Sequence, residues 1–179
     1  PERESNRFIE NWEEKNCAVL FGFGLGYYAE AFLSRYPEIP LIIVEPDKDF
    51  FFEALKIRNL TDIFASKNVS LLLDGQPDAL ATVLNTINTA SIGAVSPRSL
   101  TRHNEAYFSR LQAVIDSFIE RRTINRNTLK RFGRRWIRNL SDNLPYLPEG
   151  ERLASLHGLY RGLPALILAA GPSLDEVLP

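Results

Sequence analysis

The chain has 179 residues, of which 45% are hydrophobic and 24% are charged, and its formal net charge is −1. These are the values of a globular protein that is long enough for one domain with a full core. No apolar run approaches the roughly 20 residues needed to cross a bilayer, and the polar N-terminus is unlike a signal peptide. The single cysteine, Cys17, excludes an internal disulfide and favours the cytoplasm. Neither it nor the two histidines show the spacing of a metal site.

The charges are distributed unevenly along the chain. The net charge is −5 over residues 1–100, +7 over residues 101–140 and −3 over residues 141–179. A near-neutral chain therefore contains one strongly basic segment, and that segment is a candidate for contact with an acidic partner.

Strands and helices are predicted to alternate through the first 98 residues. Short apolar runs indicate strands at 17–21, 40–44, 69–73 and 91–95, and helical patterns indicate helices at 2–15, 27–36, 48–59 and 77–89. This alternation is typical of parallel βαβ units. We therefore predict an α/β protein with a Rossmann-like three-layer fold and a mostly parallel sheet over residues 1–98.

The pattern changes from Ser99 onward. Residues 99–144 contain no proline, one glycine and helical apolar spacing, which predicts one long helix or two helices with a break near 123–127. Prolines and a glycine then indicate a linker, so that residues 99–150 form a helical connector. Residues 151–179 are expected to begin a second α/β domain that is truncated after an apolar strand at 164–170.

A glycine-rich turn lies between the first strand and the next helix, at Gly22, Gly24 and Gly26. Glycines at such a turn allow positive φ and a close approach to a phosphate or ribose. Glu45 follows Gly26 by 19 residues at the end of the second strand, where a carboxylate can bind ribose hydroxyls, and Asp74 ends the third strand. Because Tyr27 stands where dinucleotide binders have glycine, an adenosyl ligand such as S-adenosylmethionine is favoured over NAD. The alternative is that the glycines only form the turn and Glu45 only caps a helix.

Basic residues recur every four positions in the helical segment, which places them in one row: Arg122, Arg126, Lys130, Arg134 and Arg138. We call these five residues the basic stripe. Its partner could be the acidic half of the chain, another domain, an acidic protein, a nucleotide-sugar phosphate or nucleic acid, or the stripe could simply be a solvated surface. Nucleic acid is disfavoured because no recognised binding motif accompanies the stripe.

Several motifs, in order along nearly the whole chain, resemble the motility accessory factor (Maf) family. They are Phe21-Gly-Phe-Gly-Leu-Gly-Tyr-Tyr28, Val44-Glu-Pro-Asp47, Trp136 with Asn139 and Asn143, Gly171-Pro-Ser-Leu-Asp175, and the opening Pro1-Glu-Arg-Glu-Ser-Asn-Arg7. The order of the motifs makes the resemblance more specific than any one of them. Ala169 departs from the family, which often has glycine there.

The resemblance implies a bacterial enzyme that transfers a nonulosonic acid, of the pseudaminic or legionaminic type, from a CMP-activated donor to Ser or Thr of flagellin. It also implies a central domain similar to sialyltransferases and to hydroxymethylpterin pyrophosphokinase, beginning at the Gly-Pro-Ser-Leu turn. The donor nucleotide would contact Gly171, Pro172, Ser173 and Leu174. No catalytic residue can be named, and the fragment by itself is expected to be inactive.

The resemblance then implies that the present chain is a scaffold or an acceptor-recognition module, and that its expected partners are its own catalytic domain and flagellin. Two alternatives stay open. One is an S-adenosylmethionine-dependent methyltransferase that uses the glycine turn and Glu45. The other is a non-enzymatic interaction module with a vestigial nucleotide pocket.

Overall fold

A computed structural model describes residues 1–87, 89, 91–146 and 156–165. The chain divides into two compact units, Pro1–Thr128 and Leu129–Pro179. In chain order the elements are α1 (Glu2–Glu10), β1 (Ala18–Phe21), α2 (Tyr27–Arg35), β2 (Leu41–Glu45), α3 (Lys48–Ile57), α4 (Thr61–Ala65), β3 (Val69–Leu73), α5 (Ala79–Thr86), β4 (Gly93–Val95), α6 (Arg98–Thr101) and α7 (Glu105–Asn143), followed by a 3₁₀ turn at Leu144–Tyr146.

The four strands form one sheet in the order β3-β2-β1-β4, and every neighbouring pair is parallel. Ala18 of β1 is in register with Leu41 of β2 on one side and with Gly93 of β4 on the other. This topology confirms the predicted α/β, Rossmann-like fold with a parallel sheet. Parallel strands direct all their carboxyl ends to one edge of the sheet, where ligand sites of such folds lie.

Helices cover both faces of the sheet, as the continuous apolar strands predict. On one face Leu20 and Ile43 pack in a buried cluster with Ile9 of α1, Phe32 of α2 and Ile63 of α4. On the other face the alternate strand residues pack in a second cluster with helices α5 and α7: Val19, Phe21, Ile42, Val44, Leu80, Leu84, Phe108, Leu111, Ile115 and Phe118. The three layers are therefore the sheet and the helices packed on each of its two faces.

Trp12 covers the strand at one edge of the sheet. Its indole Nε1–H donates to the Ala94 carbonyl of β4 at 3.2 Å, and a Cβ on Gly93 would lie 2.7 Å from the ring. The ring also packs edge-on against Phe32 and Tyr36. Helix α1 ends at Glu10 rather than continuing to residue 15, and this frees Trp12 to reach β4 and protect an edge that would otherwise be open to pairing.

The long helix predicted after residue 98 is present, but it begins later than predicted. A four-residue helix, α6, is separated from α7 by a turn, so the long helix begins at Glu105 and not at Ser99. From there α7 continues without interruption to Asn143, through the segment 123–127 where a break was an alternative. The apolar strand predicted at 164–170 falls mostly outside the described residues, and the predicted domain boundaries stay predictions.

Cys17 lies in the second cluster and is fully buried, in agreement with its prediction as a core residue. Burial raises the pKa of its thiol from 9.0 to about 11 because the apolar surroundings disfavour the thiolate. We expect the native protein not to react with a thiol reagent at pH 8, and the urea-unfolded protein to react fully. The raised pKa contributes stability that is present below pH 9 and is lost as the pH rises through 11. Full and rapid labelling of the native protein at pH 8 would contradict this assignment.

Candidate functional site

A cavity of about 670 Å³ lies at the carboxyl ends of the strands. Its lining comes from the glycine turn, from the β2–α3 connection, from the end of β3 and from the segment that links β4 to α7. The lining residues are Gly24, Glu45, Pro46, Asp47, Lys48, Asp49, Phe50, Asp74, Ser99, Leu100, His103, Asn104 and Phe108. We call this the carboxyl-edge cavity, and its volume is within the range of about 300–1,000 Å³ that small-molecule sites occupy.

Three of the five residues predicted to bind a cofactor line this cavity. Gly24, Glu45 and Asp74 come from different parts of the chain and are brought together by the parallel order of β1, β2 and β3. Gly22 and Gly26 belong to the same turn but are not part of the lining. The assignment of a cofactor to these residues stays a prediction.

All three glycines of the turn have positive φ, between +59° and +84°. Leu100 of α6 lies directly over the first two, because a Cβ would come within 3.0 Å of its side chain at Gly22 and within 2.7 Å at Gly24. Gly26 begins α2 and is closed in by Leu60 and Ile63. The glycines therefore allow a left-handed turn and close packing against leucine and isoleucine side chains.

Glu45 is buried, with 5% of its surface exposed, and both of its carboxylate oxygens accept backbone hydrogen bonds. The Phe23 N–H donates to Oε2 at 2.8 Å and the Asp47 N–H donates to Oε1 at 3.0 Å. One side chain thus joins the glycine turn to the start of α3. Bonds of this kind are strong because the acceptor is charged. A ribose hydroxyl would have to use the remaining lone pairs of these oxygens.

Asp74 follows β3 with a left-handed backbone, φ +54°. Its N–H donates to the Glu45 carbonyl at 2.9 Å, and its side chain pairs with Lys48 at 3.1 Å. The hydrogen bond and the charge of Asp74, together with the charge of Asp49, raise the pKa of the Lys48 ammonium. The Asp74 carboxylate is about half exposed and faces the cavity, so it is open to a ligand.

Tyr107, in the first turn of α7, links that helix to the segment that follows β3. Its hydroxyl donates to the Gly75 carbonyl at 2.7 Å. Burial raises the pKa of Tyr107, and the negative charges of Glu45 and Asp74 raise it further. Sequence reasoning missed Tyr107, and it missed Leu100, His103 and Asn104 as well, because the segment from Ser99 was predicted to start directly as a long helix, with a break considered only near 123–127. Helix α6 and the turn that follows it bring Leu100, His103 and Asn104 to the cavity, whereas Tyr107 is not part of the lining.

The basic stripe lies along α7, at the four-residue spacing expected. Arg122 differs from the other members because it packs onto its own unit: its guanidinium donates to the Thr89 carbonyl at 2.6 Å and lies 5.3 Å from the centre of the Phe118 ring. The remaining four members are exposed, and none of them forms an ion pair with a residue that the structure describes.

The second half of α7 also exposes large apolar side chains. Leu129, Trp136, Ile137 and Leu140 are each more than half exposed. Leu129, Trp136 and Leu140 lie on the side of the helix opposite Arg134 and Arg138, and Ile137 lies between the two sides. Helix α7 is therefore amphipathic over its final turns, with one basic side and one apolar side.

The predicted donor-nucleotide residues Gly171, Pro172, Ser173 and Leu174 lie outside the described residues. In the part of the chain that is described, no helix is long and apolar enough to cross a membrane. The same ranges hold no cluster of three or more His, Cys, Asp or Glu side chains placed to bind a metal ion.

Comparison with known proteins identifies two similarities. Residues 2–125 match the family described as the glycosyltransferase Maf N-terminal domain. The chain is also 30% identical over 172 residues to a protein of Treponema pallidum (strain Nichols) that is described as uncharacterized. That alignment covers 96% of this chain and 59% of the relative, so the chain spans less than two thirds of the relative's length.

Proposed function

Because the chain belongs to the glycosyltransferase Maf N-terminal domain family, we propose that it is the N-terminal part of a protein glycosyltransferase. The reaction we propose is the transfer of a nonulosonic acid, of the pseudaminic or legionaminic type, from a CMP-activated donor to Ser or Thr of flagellin, in the cytoplasm. The observation that carries this proposal is the family match over residues 2–125. The motifs that resemble the Maf family and continue to Asp175 give it further support.

Within that enzyme we assign the chain a supporting role. The donor would bind in the central domain, beginning with Gly171, Pro172, Ser173 and Leu174, where a glycine turn and a serine before a helix suit a nucleotide phosphate. The Rossmann-like unit would then serve as a scaffold or as the module that recognises the acceptor. Leu100 covers the glycine turn and obstructs the approach of a phosphate to it. This supports the proposal that the donor nucleotide binds in the central domain and not at the glycine turn.

To test the proposed function, the gene for the full-length protein is deleted in its source organism and the intact mass of flagellin is measured. We expect the flagellin of the deletion strain to lose the mass of its nonulosonic acids, and the full-length gene to restore that mass. Flagellin of unchanged mass in the deletion strain would contradict the proposal.

We further propose that the exposed members of the basic stripe contact an acidic surface, either of the catalytic domain or of flagellin. Like charges four residues apart on a helix disfavour it by about 0.2–0.5 kcal/mol per pair. The stripe repeats this arrangement along α7, and its exposed members form no ion pair with a described residue. The negative charges of an acidic partner would offset the repulsion between the basic side chains and would speed association.

The double substitution Arg134→Glu with Arg138→Glu tests this contact. In the full-length protein we expect the KM for flagellin to rise about tenfold or the two domains to separate in limited proteolysis, with the helical content unchanged. The matched control is Arg3→Glu with Arg7→Glu, two exposed arginines at the same spacing on α1. If the α7 pair and the α1 pair behave alike, the stripe has no role in docking.

A further inference from the structure

We propose that the carboxyl-edge cavity binds a cationic ligand of about nucleoside size that carries no phosphate. This site is separate from the donor site proposed for the glycosyl transfer, and its existence does not depend on that reaction. Its volume of about 670 Å³ is sufficient for a nucleoside with a short side chain.

The apolar part of the lining offers a wall for a flat ring. Phe50 stands in the first turn of α3 and is 48% exposed, and Leu100 and Phe108 border the same cavity. Exposed aromatic rings beside a cavity are good surfaces for stacking a base. The carboxylates and the Ser99 and Asn104 side chains supply the polar contacts that orient a ligand.

The usual place for a phosphate in this fold is partly closed by hydrogen bonds within the turn and by Leu100. Phosphate-binding turns point free backbone N–H groups at the ligand. Here the Gly22 N–H donates to the Val44 carbonyl, the Phe23 N–H to Glu45 and the Gly26 N–H to the Phe23 carbonyl. Leu100 covers the same turn from the cavity side. A phosphate in the cavity would have to displace Leu100 to reach the other N–H groups of the turn.

The charge of the lining favours a cation. Four carboxylates line the cavity, at Glu45, Asp47, Asp49 and Asp74, against one ammonium at Lys48 and one imidazole at His103. Glu45 and Asp47 are held by backbone N–H groups, so they keep their positions. Asp49 is exposed, and the half-exposed Asp74 is paired with Lys48, so these two carboxylates are the ones that a ligand can reach. Close carboxylates attract a positive group and repel a phosphate.

Calorimetric titration with three adenosine derivatives tests the proposal. S-Adenosylmethionine carries a sulfonium and an ammonium group, S-adenosylhomocysteine lacks the sulfonium charge, and AMP carries a phosphate on the same nucleoside. We expect S-adenosylmethionine to bind, S-adenosylhomocysteine to bind about tenfold more weakly, and AMP to give no heat of binding.

A pair of matched substitutions places the binding in the cavity. Asp74→Asn keeps the size of the side chain, and asparagine tolerates the φ of +54° at this position. We expect it to weaken binding of S-adenosylmethionine about tenfold. Asp78→Asn is the control, because Asp78 forms a similarly exposed ion pair, with Arg110 at 3.2 Å, but is not part of the cavity lining.

Three results would overturn the proposal: no binding of S-adenosylmethionine at millimolar concentration, AMP binding as tightly as S-adenosylmethionine, or equal effects of Asp74→Asn and Asp78→Asn. The titration contains neither a sugar donor nor flagellin. A failure here therefore leaves the glycosyltransferase proposal standing, and unchanged flagellin mass in the deletion strain would leave this proposal standing.

Discussion

Replacing Glu45 with alanine is expected to lower the free energy of unfolding by about 3 kcal/mol. The carboxylate is 5% exposed and accepts the N–H groups of Phe23 and Asp47. In the alanine variant the buried Phe23 N–H loses its acceptor, and the glycine turn loses its link to the start of α3. The Asp47 N–H is only partly buried and can bind water, so most of the cost comes from Phe23.

Urea denaturation followed by circular dichroism measures this loss. The matched control is Glu53→Ala on α3, whose exposed carboxylate pairs with Lys56, and we expect it to change the stability by less than about 0.5 kcal/mol. Glu45→Gln should fall between the two, because one amide oxygen still accepts a bond while the amide nitrogen opposes the other donor. Equal stability of Glu45→Ala and Glu53→Ala would show that Glu45 does not hold the turn.

Glu45 both lines the cavity and holds the backbone of the glycine turn. Loss of ligand binding in the Glu45→Ala variant would therefore not distinguish a displaced turn from a lost contact with the ligand. Asp74→Asn is the cleaner probe, because the Asp74 side chain pairs with the exposed Lys48 and holds no backbone group among the described residues.

Gly26→Ala is expected to destabilise the protein by a similar amount, about 3 kcal/mol, through two separate effects. The backbone at Gly26 has φ +84° and ψ −6°, a conformation that costs alanine about 1–2 kcal/mol. The new Cβ would also lie 2.8 Å from Leu60 and 3.3 Å from Ile63 and Phe23, all of them buried. These neighbours belong to one packed cluster and cannot all move aside.

Gly133→Ala provides the opposite case with the same chemical change. Gly133 lies within α7, and its Cβ would make an ordinary contact, 3.4 Å from Leu129. Because alanine favours a helix over glycine by about 1 kcal/mol, we expect this variant to increase the helical content. Loss of stability at Gly26 with a gain in helicity at Gly133 is the expected pair of results. A neutral Gly26→Ala would mean that the turn is not held in its left-handed form.

Much of the sheet could be predicted from the sequence because its strands are short, continuously apolar runs. Strand β3 has the predicted bounds, Val69–Leu73, and β1 and β2 differ by one residue at their ends. Helix ends were harder to place because tertiary contacts set them. Arg58 ends α3, where its guanidinium lies 4.0 Å from the centre of the Tyr27 ring and pairs with Glu30 of α2. No local pattern indicates such a contact. The same applies to the five-residue helix α4, which was not predicted.

The candidate site was only partly predictable, for a related reason. Gly24, Glu45 and Asp74 could be grouped in advance because the carboxyl ends of parallel strands meet at one edge. The role of Leu100 could not be predicted, because it depends on the short helix α6, which ends before α7 begins although the sequence pattern is continuously helical. Glu45 was predicted to bind ribose or to cap a helix. The backbone N–H groups that donate hydrogen bonds to Glu45 could be identified only from the tertiary structure.

The most direct test of the account is reconstitution of the transfer with purified components. The full-length protein is mixed with flagellin and with CMP-pseudaminic or CMP-legionaminic acid, and the intact mass of flagellin and the release of CMP are measured together. We predict that flagellin gains whole sugar masses and that one CMP is released for each sugar gained. Unmodified flagellin with both donors, under conditions in which the protein is folded, would contradict the assignment of this family member as part of a nonulosonic acid transferase.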